Sequence, residues 1–397
     1  MPPTKTNLAG VAFGIALSSF GAYQMFKLPP VLPLLLDTYG YDRTLAGGFM
    51  SIYALAGLLL SIYLGRMIAR QGPAMPVLGA LGVMILGNLL GLVAPENGIV
   101  VLAGRGLEGI AFAVLAIAGP TLTNLAASAR ALPIVMGLTA AWIPIGQITA
   151  TLLAQPALGG WGWQVLWIAG ALGCVLLAGW TFGRRGILPQ GHKPGAAASE
   201  DPGITPRERF LLLLGGFGFL VFSGQYFAYM TWMPQYLVEV HGFSLDGAVW
   251  GYLLPVVVLM CFNLIGGRIL QLGIPVGALL TGSLALQAAI WWLLPWTGSD
   301  WTGIVSVVAY GIGGGITPTC LFALPSTVLG AGRNAAAAYG LMMTGRNIGV
   351  FLGPILLAWL FEFSGGWDLS APIFGAFTTS GALGALWLWI LLRRPRG

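Results

Sequence analysis

The sequence predicts an all-α membrane protein of twelve transmembrane helices, arranged as two related six-helix bundles. Of 397 residues, 57% are hydrophobic and 8% are charged, against roughly 25% charged in an ordinary soluble domain. Apolar runs of about 20 residues, the length that crosses a bilayer, recur along the whole chain. These continuous runs disfavour a transmembrane barrel, whose strands show short alternating segments.

Twelve apolar runs are separated by polar turns. They cover residues 8–36, 45–65, 73–94, 98–124, 131–155, 164–183, 210–238, 247–270, 274–295, 302–327, 335–361 and 371–392. Pro29, Pro30 and Pro33 interrupt the first run. Because proline has no N–H and disturbs the preceding helical turn, we expect the helix to be loosened there.

One long polar segment, residues 184–209, is rich in glycine, proline, alanine and charge, which is typical of a linker. It is expected to be cytoplasmic and to separate an N-terminal bundle, residues 1–183, from a C-terminal bundle, residues 210–397. The halves also repeat each other at offsets of 201 to 203: residues 20–41 align with 222–243, 65–72 with 266–273, and 137–146 with 340–349. Three matches at nearly one offset indicate an internal repeat.

Charged residues in the loops separate onto two sides of the membrane. With a cytoplasmic amino terminus, every loop lysine and arginine except Arg43 falls on the cytoplasmic side, whereas acidic residues dominate the outer turns. This distribution follows the positive-inside rule, so we expect a multi-pass protein of the inner (cytoplasmic) membrane with both termini in the cytoplasm. The net charge of +6 then reflects topology and contact with the lipid bilayer, not nucleic-acid binding.

Two short motifs carry a family resemblance. Gly65, Arg70 and Gly72 match a Gly-x-x-x-Asp-Arg-x-Gly pattern with Ala69 at the aspartate position, and Arg105 begins an Arg-x-x-x-Gly pattern. In these motifs and in its two halves, the whole chain resembles the major facilitator superfamily of secondary transporters. The resemblance implies two parallel bundles around a central cavity, transport by alternating access, and a gating role for the loop motif.

Several activities are disfavoured by missing motifs. Residues 142–147 read WIPIGQ, without the Gly-Pro-x-x-Gly-Gly run that drug-exporting members of the family usually carry. No HExxH, GxSxG or P-loop pattern is present, so the sequence predicts neither an enzyme nor an ATP-driven pump. We expect a monomer that binds a small-molecule substrate and needs no cofactor.

Four ionisable residues lie deep inside predicted spans: Lys27, Arg105, Glu108 and Arg346. Inserting an ionised side chain near the centre of the bilayer costs roughly 2.5–3.5 kcal/mol of free energy, so such residues usually face a bundle interior or a water-filled cavity. Three cations and one carboxylate predict an electropositive cavity, in which arginine can hold an oxyanion with two hydrogen bonds. We therefore expect Lys27, Arg105, Arg346 and the neighbouring Asn347 to bind a small organic anion.

Glu108 is expected to carry a coupling proton, because it is the one carboxylate at this depth. Arg105 lies three residues before it, on the same helix face, and the two can pair directly; a purely structural ion pair is the alternative. Organic-anion transporters of the superfamily that this chain resembles similarly combine a cation in span one with an Arg and a Glu in span four. In those transporters the Arg and the Glu are farther apart in sequence than Arg105 and Glu108.

Polar and aromatic residues expected beside these charges suit a small organic ligand, although each is also an ordinary packing or interface residue. They are Tyr23, Gln24, Trp142, Gln147, Gln225, Tyr226, Tyr229, Trp232, Asn263 and Tyr339. Gly345, Gly349 and Gly353 have small-xxx-small spacing, which predicts close helix packing.

Two other substrates stay open. A neutral, aromatic, vitamin-like solute could stack on the tryptophans. A soft metal ion such as Cu(I) takes thioether and thiol ligands, and the candidates are Met230, Met233, Met260, Cys261, Met342 and Met343. Methionine is also a common core filler, and deep cations repel Cu(I). The sequence therefore favours proton-coupled uptake of a small organic anion.

Overall fold

Most of the chain forms long α-helices. The structure is a computed structural model that describes residues 5–128, 131, 135, 138–139, 141–186, 188, 204–330 and 336–393. The helices of this part are α1 Leu8–Phe26, α2 Leu32–Tyr39, α3 Arg43–Gln71, α4 Ala74–Val93, α5 Gly98–Ala126, α6 Trp142–Pro156, α7 Gln164–Arg184, α8 Pro206–Glu239, α9 Leu245–Gln271, α10 Val276–Leu293, α11 Trp301–Leu329, α12 Ala336–Ser364 and α13 Ser370–Arg393. The described residues contain no strand, so the predicted all-α class is confirmed.

Polar residues just outside the spans start several helices. The side chains of Asn7, Asp42 and Asn97 accept hydrogen bonds from backbone N–H groups in the first turns of α1, α3 and α5. Thr205 and Glu208 form a reciprocal capping box at the start of α8. These caps satisfy N–H groups that have no partner inside a helix, and they fix where each apolar helix begins.

The first predicted span is broken where its prolines lie. α1 ends at Phe26, a 3-10 turn covers Pro29–Val31, and α2 continues to Tyr39. Gly40 then ends α2 with a φ of 62°, a left-handed conformation that glycine adopts without steric cost. The predicted loosening of this helix is confirmed. The break also leaves carbonyl oxygens of the last turn of α1 without helical partners.

Eleven of the twelve predicted spans correspond to described helices that are long and apolar enough to cross a membrane. The remaining prediction, residues 131–155, lies partly outside the described residues, and its described portion continues as α6. Most of the predicted linker, residues 184–209, also lies outside the described part. The chain is a multi-pass membrane protein.

The chain divides into two compact units. The N-terminal unit is Met1–Ala196 with Ser244–Trp250, and the C-terminal unit is Ala197–Phe243 with Gly251–Gly397. In the N-terminal unit, α5 packs against α1, α3 and α4, and α1 also packs against α6. In the C-terminal unit, α8 packs against α11, α12 and α13, and α10 packs against α11 and α13. Each unit therefore has buried helix faces of its own.

Glycines bring neighbouring helices into backbone contact in both units. A Cβ atom on Gly345, Gly349 or Gly353 of α12 would overlap a backbone carbonyl oxygen of α8. In the N-terminal unit, a Cβ on Gly146 of α6 would lie 2.5 Å from the carbonyl oxygen of Ser19 in α1. The predicted close packing is confirmed, and the repeated positions Gly146 and Gly349 make equivalent contacts.

Replacing Gly349 by alanine should separate α12 from α8. The added Cβ would overlap the carbonyl oxygen of Leu220 and lie 2.7 Å from the Gly224 backbone nitrogen. We expect the free energy of unfolding to fall by about 1–3 kcal/mol, the usual cost of overpacking, measured as a lower melting temperature in detergent.

The matched control is Gly340→Ala on the same helix, because a Cβ there meets nothing within 4 Å and alanine favours the helix over glycine. Equal melting temperatures for the Gly349→Ala and Gly340→Ala proteins would contradict the close packing.

Candidate functional site

Lys27 lies at the end of α1 with a side-chain exposure of 0%. Its Nζ donates hydrogen bonds to Glu108 Oε1 at 2.8 Å, Asn88 Oδ1 at 2.6 Å and Gln24 Oε1 at 2.7 Å. An ammonium group has three N–H donors, so all of them are used. The ring centroid of Trp167 lies 4.5 Å from Nζ and adds a cation–π contact.

Arg105 is held by main-chain oxygens at the break in α1. Its Nη1 and Nη2 donate to the carbonyls of Gln24 and Met25, each at 2.8 Å, and its Nε donates to the carbonyl of Phe49 at 3.0 Å. In an unbroken helix Met25 would receive the N–H of residue 29, but Pro29 has none. The guanidinium therefore binds at the C-terminal end of α1, where the helix dipole favours a cation.

Glu108 connects the two cations. Its Oε2 accepts from Arg105 Nη1 at 2.7 Å and from the Tyr53 hydroxyl at 2.5 Å, while its Oε1 accepts from Lys27. The predicted pairing of Arg105 with Glu108 is confirmed. With Glu108 ionised, two cations and one carboxylate give a net charge of +1, on side chains exposed by no more than 1%. We call Lys27, Arg105, Glu108 and Tyr53 the charged network.

In this arrangement the two cations expected to line a substrate cavity, Lys27 and Arg105, are already hydrogen-bonded within the N-terminal unit. Both side chains are directed at oxygen atoms inside the N-terminal unit and are closed off from solvent. The physical reason is that Asn88, Tyr53 and the carbonyls at the helix break supply acceptors that sequence spacing does not reveal. Substrate binding by Lys27 and Arg105 stays a prediction, and it requires one of these acceptors to be displaced.

The C-terminal unit buries a neutral counterpart, formed by Gln225, Gln287, Trp291, Tyr310 and Thr317. The Oε1 of Gln225 accepts from Trp291 at 2.8 Å and from Tyr310 at 2.7 Å. Its Nε2 donates to Gln287 Oε1 at 2.5 Å, and Gln287 donates to Thr317 at 2.7 Å. Both units therefore contain a buried polar layer, but only the layer of the N-terminal unit is built from charged groups.

Arg346 has a different environment from the cations of the charged network. It is half-buried on α12, and its Nη1 donates to Asn347 Oδ1 at 3.2 Å. Within the described residues, no carboxylate lies within 4 Å of its guanidinium. A guanidinium has five N–H donors, so Arg346 retains donors for an anionic ligand.

Trp142 connects the accessible surface of the N-terminal unit with the charged network. This half-buried ring stacks on Phe112, with ring centroids 5.8 Å apart. Phe112 in turn meets the edge of Tyr53 at 5.7 Å, and Tyr53 donates to Glu108. Two ring contacts therefore separate Trp142 from the carboxylate of Glu108, and substrate binding by Trp142 stays a prediction.

Five further predicted site residues each contact a neighbour in their own unit. Tyr23 donates to the Leu166 carbonyl at 2.6 Å, Trp232 donates to the Pro354 carbonyl at 3.0 Å, Asn263 accepts from Thr319 at 2.9 Å, Tyr226 stacks on Phe222 at 5.5 Å, and Tyr229 stacks on Tyr310 at 3.7 Å. Their contribution to substrate binding stays a prediction.

Sequence reasoning missed six residues that complete the two polar layers: Tyr53, Asn88, Gln287, Trp291, Tyr310 and Thr317. Asn88 and Gln287 are the only amide side chains in the third and ninth predicted spans. A lone amide in an apolar helix is costly unless it is hydrogen-bonded, so this signal was available. The two tyrosines carry no comparable signal, because tyrosine is common at membrane interfaces.

The candidate ligands for Cu(I) do not share one environment. Cys261 is exposed, whereas Met230, Met233 and Met342 are buried and Met260 and Met343 are half-buried. Within the described residues, no group of three His, Cys, Asp or Glu could hold a metal ion. Binding of Cu(I) by these methionines and Cys261 therefore stays a prediction, and their different exposures do not support a shared site.

The predicted gating motif lies where α3 turns into α4. Arg70 is exposed in the last turn of α3, and Gly72 ends that helix with a φ of 79°, a conformation that favours glycine. A Cβ on Gly65 would meet nothing within 4 Å. A turn requirement therefore explains Gly72, whereas the gating role of Gly65 and Arg70 stays a prediction.

Comparisons with known proteins agree with this architecture. The family model of the Major Facilitator Superfamily matches residues 11–338. A probable sulfoacetate transporter, SauU of Cupriavidus necator, is 26% identical over 212 residues, which cover 51% of this chain and 49% of that protein. A probable multidrug-efflux transporter of Mycobacterium tuberculosis is 28% identical over 243 residues, covering 60% of this chain and 47% of that protein. The chain thus spans about half the length of these relatives.

Solved structures show the same fold. A bacterial homolog of the human lysosomal transporter Spinster, in an inward-facing and unoccupied conformation, superimposes with a TM-score of 0.73 at 15% identity, covering 98% of this chain and 95% of that chain. Its occupied form gives a TM-score of 0.66 at 14% identity, with the same coverage. At these identities the similarity concerns the fold alone.

The charged network predicts that Glu108→Gln destabilises the protein more than Lys27→Met does. Glu108→Gln should lower the free energy of unfolding by about 3–5 kcal/mol, because it leaves Lys27 and Arg105 buried without a counter-charge. Lys27→Met should cost only about 1–3 kcal/mol, because Glu108 keeps Arg105 and the losses are hydrogen bonds. Thermal unfolding in detergent measures both.

Arg346→Met serves as the control for removing a deep cation, since its described surroundings contain no carboxylate, and it should not lower the melting temperature. A Glu108→Gln protein as stable as the unsubstituted one would show that Glu108 does not hold the two cations together.

Proposed function

We propose that this chain, which belongs to the major facilitator superfamily of membrane transporters, takes up a small organic anion together with protons. Membership rests on the family model, which matches residues 11–338, and it supports the function of a transporter. The proposal adds the substrate class, the coupling ion and the direction. It rests on the charges at membrane depth: Lys27 and Arg105 share the carboxylate of Glu108, and Arg346 has no carboxylate within 4 Å among the described residues.

The environment of Arg346 is the main observation in favour of an anionic substrate. A cation in a membrane-spanning helix is costly, and the described residues around Arg346 supply no carboxylate to offset that cost. An oxyanion can bind a guanidinium with two parallel hydrogen bonds. The relative named as a probable sulfoacetate transporter supports this class, since sulfoacetate carries both a carboxylate and a sulfonate.

The charged network favours symport of a proton with the anion. With Glu108 ionised the network carries a net charge of +1, so a proton on Glu108 raises it to +2 among buried side chains, where like charges repel strongly. An anion that replaces Glu108 as the partner of Lys27 or Arg105 returns the charge to +1. Anion and proton therefore favour each other's binding, and the effect is reciprocal.

We further propose that the protein lies in the inner (cytoplasmic) membrane as a monomer with both termini in the cytoplasm, because basic residues concentrate in one set of loops. Uptake is the proposed direction. The relative named as a probable multidrug-efflux transporter makes export the competing direction, which uptake assays in oriented vesicles distinguish.

Removing the charge of Arg346 should abolish anion transport. In proteoliposomes supplied with radiolabelled sulfoacetate and an inward proton gradient, Arg346→Ala should lower uptake at least about 30-fold, because truncating one side of a buried charge pair costs about 2–5 kcal/mol. Arg268→Ala removes an exposed arginine that donates a hydrogen bond to Gln271 in its own helix and should leave uptake unchanged.

A thermal-shift screen of the purified protein separates the alternative substrates. Sulfonates and carboxylates should stabilise the unsubstituted protein and fail to stabilise Arg346→Ala. Stabilisation by riboflavin alone would favour a neutral aromatic solute. Stabilisation by Cu(I) alone, unchanged in Arg346→Ala, would replace the anion proposal with soft-metal transport.

Glu108→Gln should separate proton coupling from substrate movement. Net uptake driven by a pH gradient should fall more than about tenfold, because glutamine cannot carry the proton, whereas exchange of labelled for unlabelled anion should persist. The exchange signal also reports that the destabilised variant is folded. Net uptake near the unsubstituted rate would show that the coupling group lies elsewhere.

A further inference from the structure

The C-terminal unit contains a cavity whose lining includes neither Arg346 nor a member of the charged network. It has a volume of about 410 Å³ and lies among the turns that join α8 to α9, α10 to α11 and α12 to α13. Every residue that lines it belongs to the C-terminal unit. Under the proposed topology these turns face the outer side, so a ligand could enter from there.

Aromatic rings form one wall of this cavity, namely those of Tyr229, Trp232, Tyr236, Trp291 and Trp367. Hydrogen bonds fix three of the indole rings. Trp232 donates to the Pro354 carbonyl, Trp291 donates to Gln225, and Trp367 donates to Glu239 Oε2 at 2.9 Å. Preoriented ring faces attract organic cations as well as apolar groups.

The charged groups that line the cavity are acidic. Asp300 and Asp368 are both exposed at its rim, and none of the described lining residues is a lysine or arginine. Hydrogen bonds donated by Thr302 lower the pKa of Asp300, so its carboxylate is charged at neutral pH. Burial lowers the pKa of His241, so its imidazole is neutral there. The cavity therefore attracts cations.

Two buried hydroxyl groups in the lining lack hydrogen-bond partners. Ser306 and Ser370 are exposed by 5% and 2%, and within the described chain neither Oγ has a partner. Both line the cavity. A buried polar group without a partner is costly and rare in native proteins, so these hydroxyls indicate a polar ligand, and their oxygen atoms can accept hydrogen bonds from its donors.

We propose that this cavity binds an organic primary amine in its protonated form. The apolar body of the amine packs against the aromatic wall, its N–H groups donate to Ser306 and Ser370, and Asp300 and Asp368 attract its charge. An anion would meet two carboxylates and no cation here. The site is thus opposite in charge to the one around Arg346.

Isothermal titration of the purified full-length protein at pH 7 tests this proposal with phenethylammonium as the probe. Its anionic analogue 3-phenylpropanoate and its neutral analogue 2-phenylethanol should bind at least about tenfold more weakly. Ser306→Ala and Ser370→Ala should each weaken binding of phenethylammonium about fivefold, and Asp300→Asn about threefold, as for an exposed charge.

Two variants provide matched controls. Ser326→Ala removes a hydroxyl that already donates to a carbonyl, and Glu96→Gln removes an exposed carboxylate of the N-terminal unit; both should bind phenethylammonium normally. The Ser306→Ala protein should keep its melting temperature without ligand, because the lost hydroxyl has no partner. Equal binding of the anionic analogue, or full affinity in both serine variants, would overturn the amine site.

The amine site stands independently of the proposed transport of anions. Arg346→Ala should bind phenethylammonium normally even where anion uptake is lost. Nanodiscs with and without phosphatidylethanolamine distinguish two sources of the ammonium group. If phosphatidylethanolamine competes with phenethylammonium, the natural ligand is a lipid headgroup. If it does not compete, the natural ligand is a soluble amine.

Discussion

The pairing of Glu108 with both Lys27 and Arg105 is the interaction on which the N-terminal unit depends. One carboxylate joins α1, α3 and α5, since Lys27 belongs to the first, Tyr53 to the second, and Arg105 shares the helix of Glu108. Without it, two buried cations would face each other across a medium that screens charge poorly. The break in α1, which lies at its prolines, contributes to the same network, because Arg105 donates to the Met25 carbonyl that Pro29 leaves without a helical N–H.

The two units share backbone packing but differ in the chemistry of their buried polar layers. Glycine contacts recur at equivalent places, as Gly146 and Gly349 show. The N-terminal layer uses a lysine, an arginine and a glutamate, whereas the C-terminal layer uses amides and hydroxyls centred on Gln225. A neutral layer holds helices together without responding to pH. The charged layer contains a carboxylate, which is why proton coupling is proposed for the N-terminal unit.

The sequence predicts the helices well because apolar length alone decides whether a segment can cross a membrane. It also predicts contacts within one helix, such as Arg105 with Glu108, since three residues make almost one turn. It identifies glycines that allow close helix packing, but it does not show which polar side chains of different helices meet. Lys27 meets Asn88 and Glu108 from positions 61 and 81 residues away, and no local pattern encodes that distance.

The prolines of the first span also determine where Arg105 binds. The charged network carries one excess positive charge when Glu108 is ionised, and Arg105 donates to the carbonyls of Gln24 and Met25 at the end of α1. Pro29 has no N–H to offer the Met25 carbonyl, so this oxygen has no helical donor that competes with the guanidinium. A residue with an N–H at position 29 would compete with Arg105 for that carbonyl. The sequence feature that breaks the first span therefore also provides an acceptor for a cation on α5.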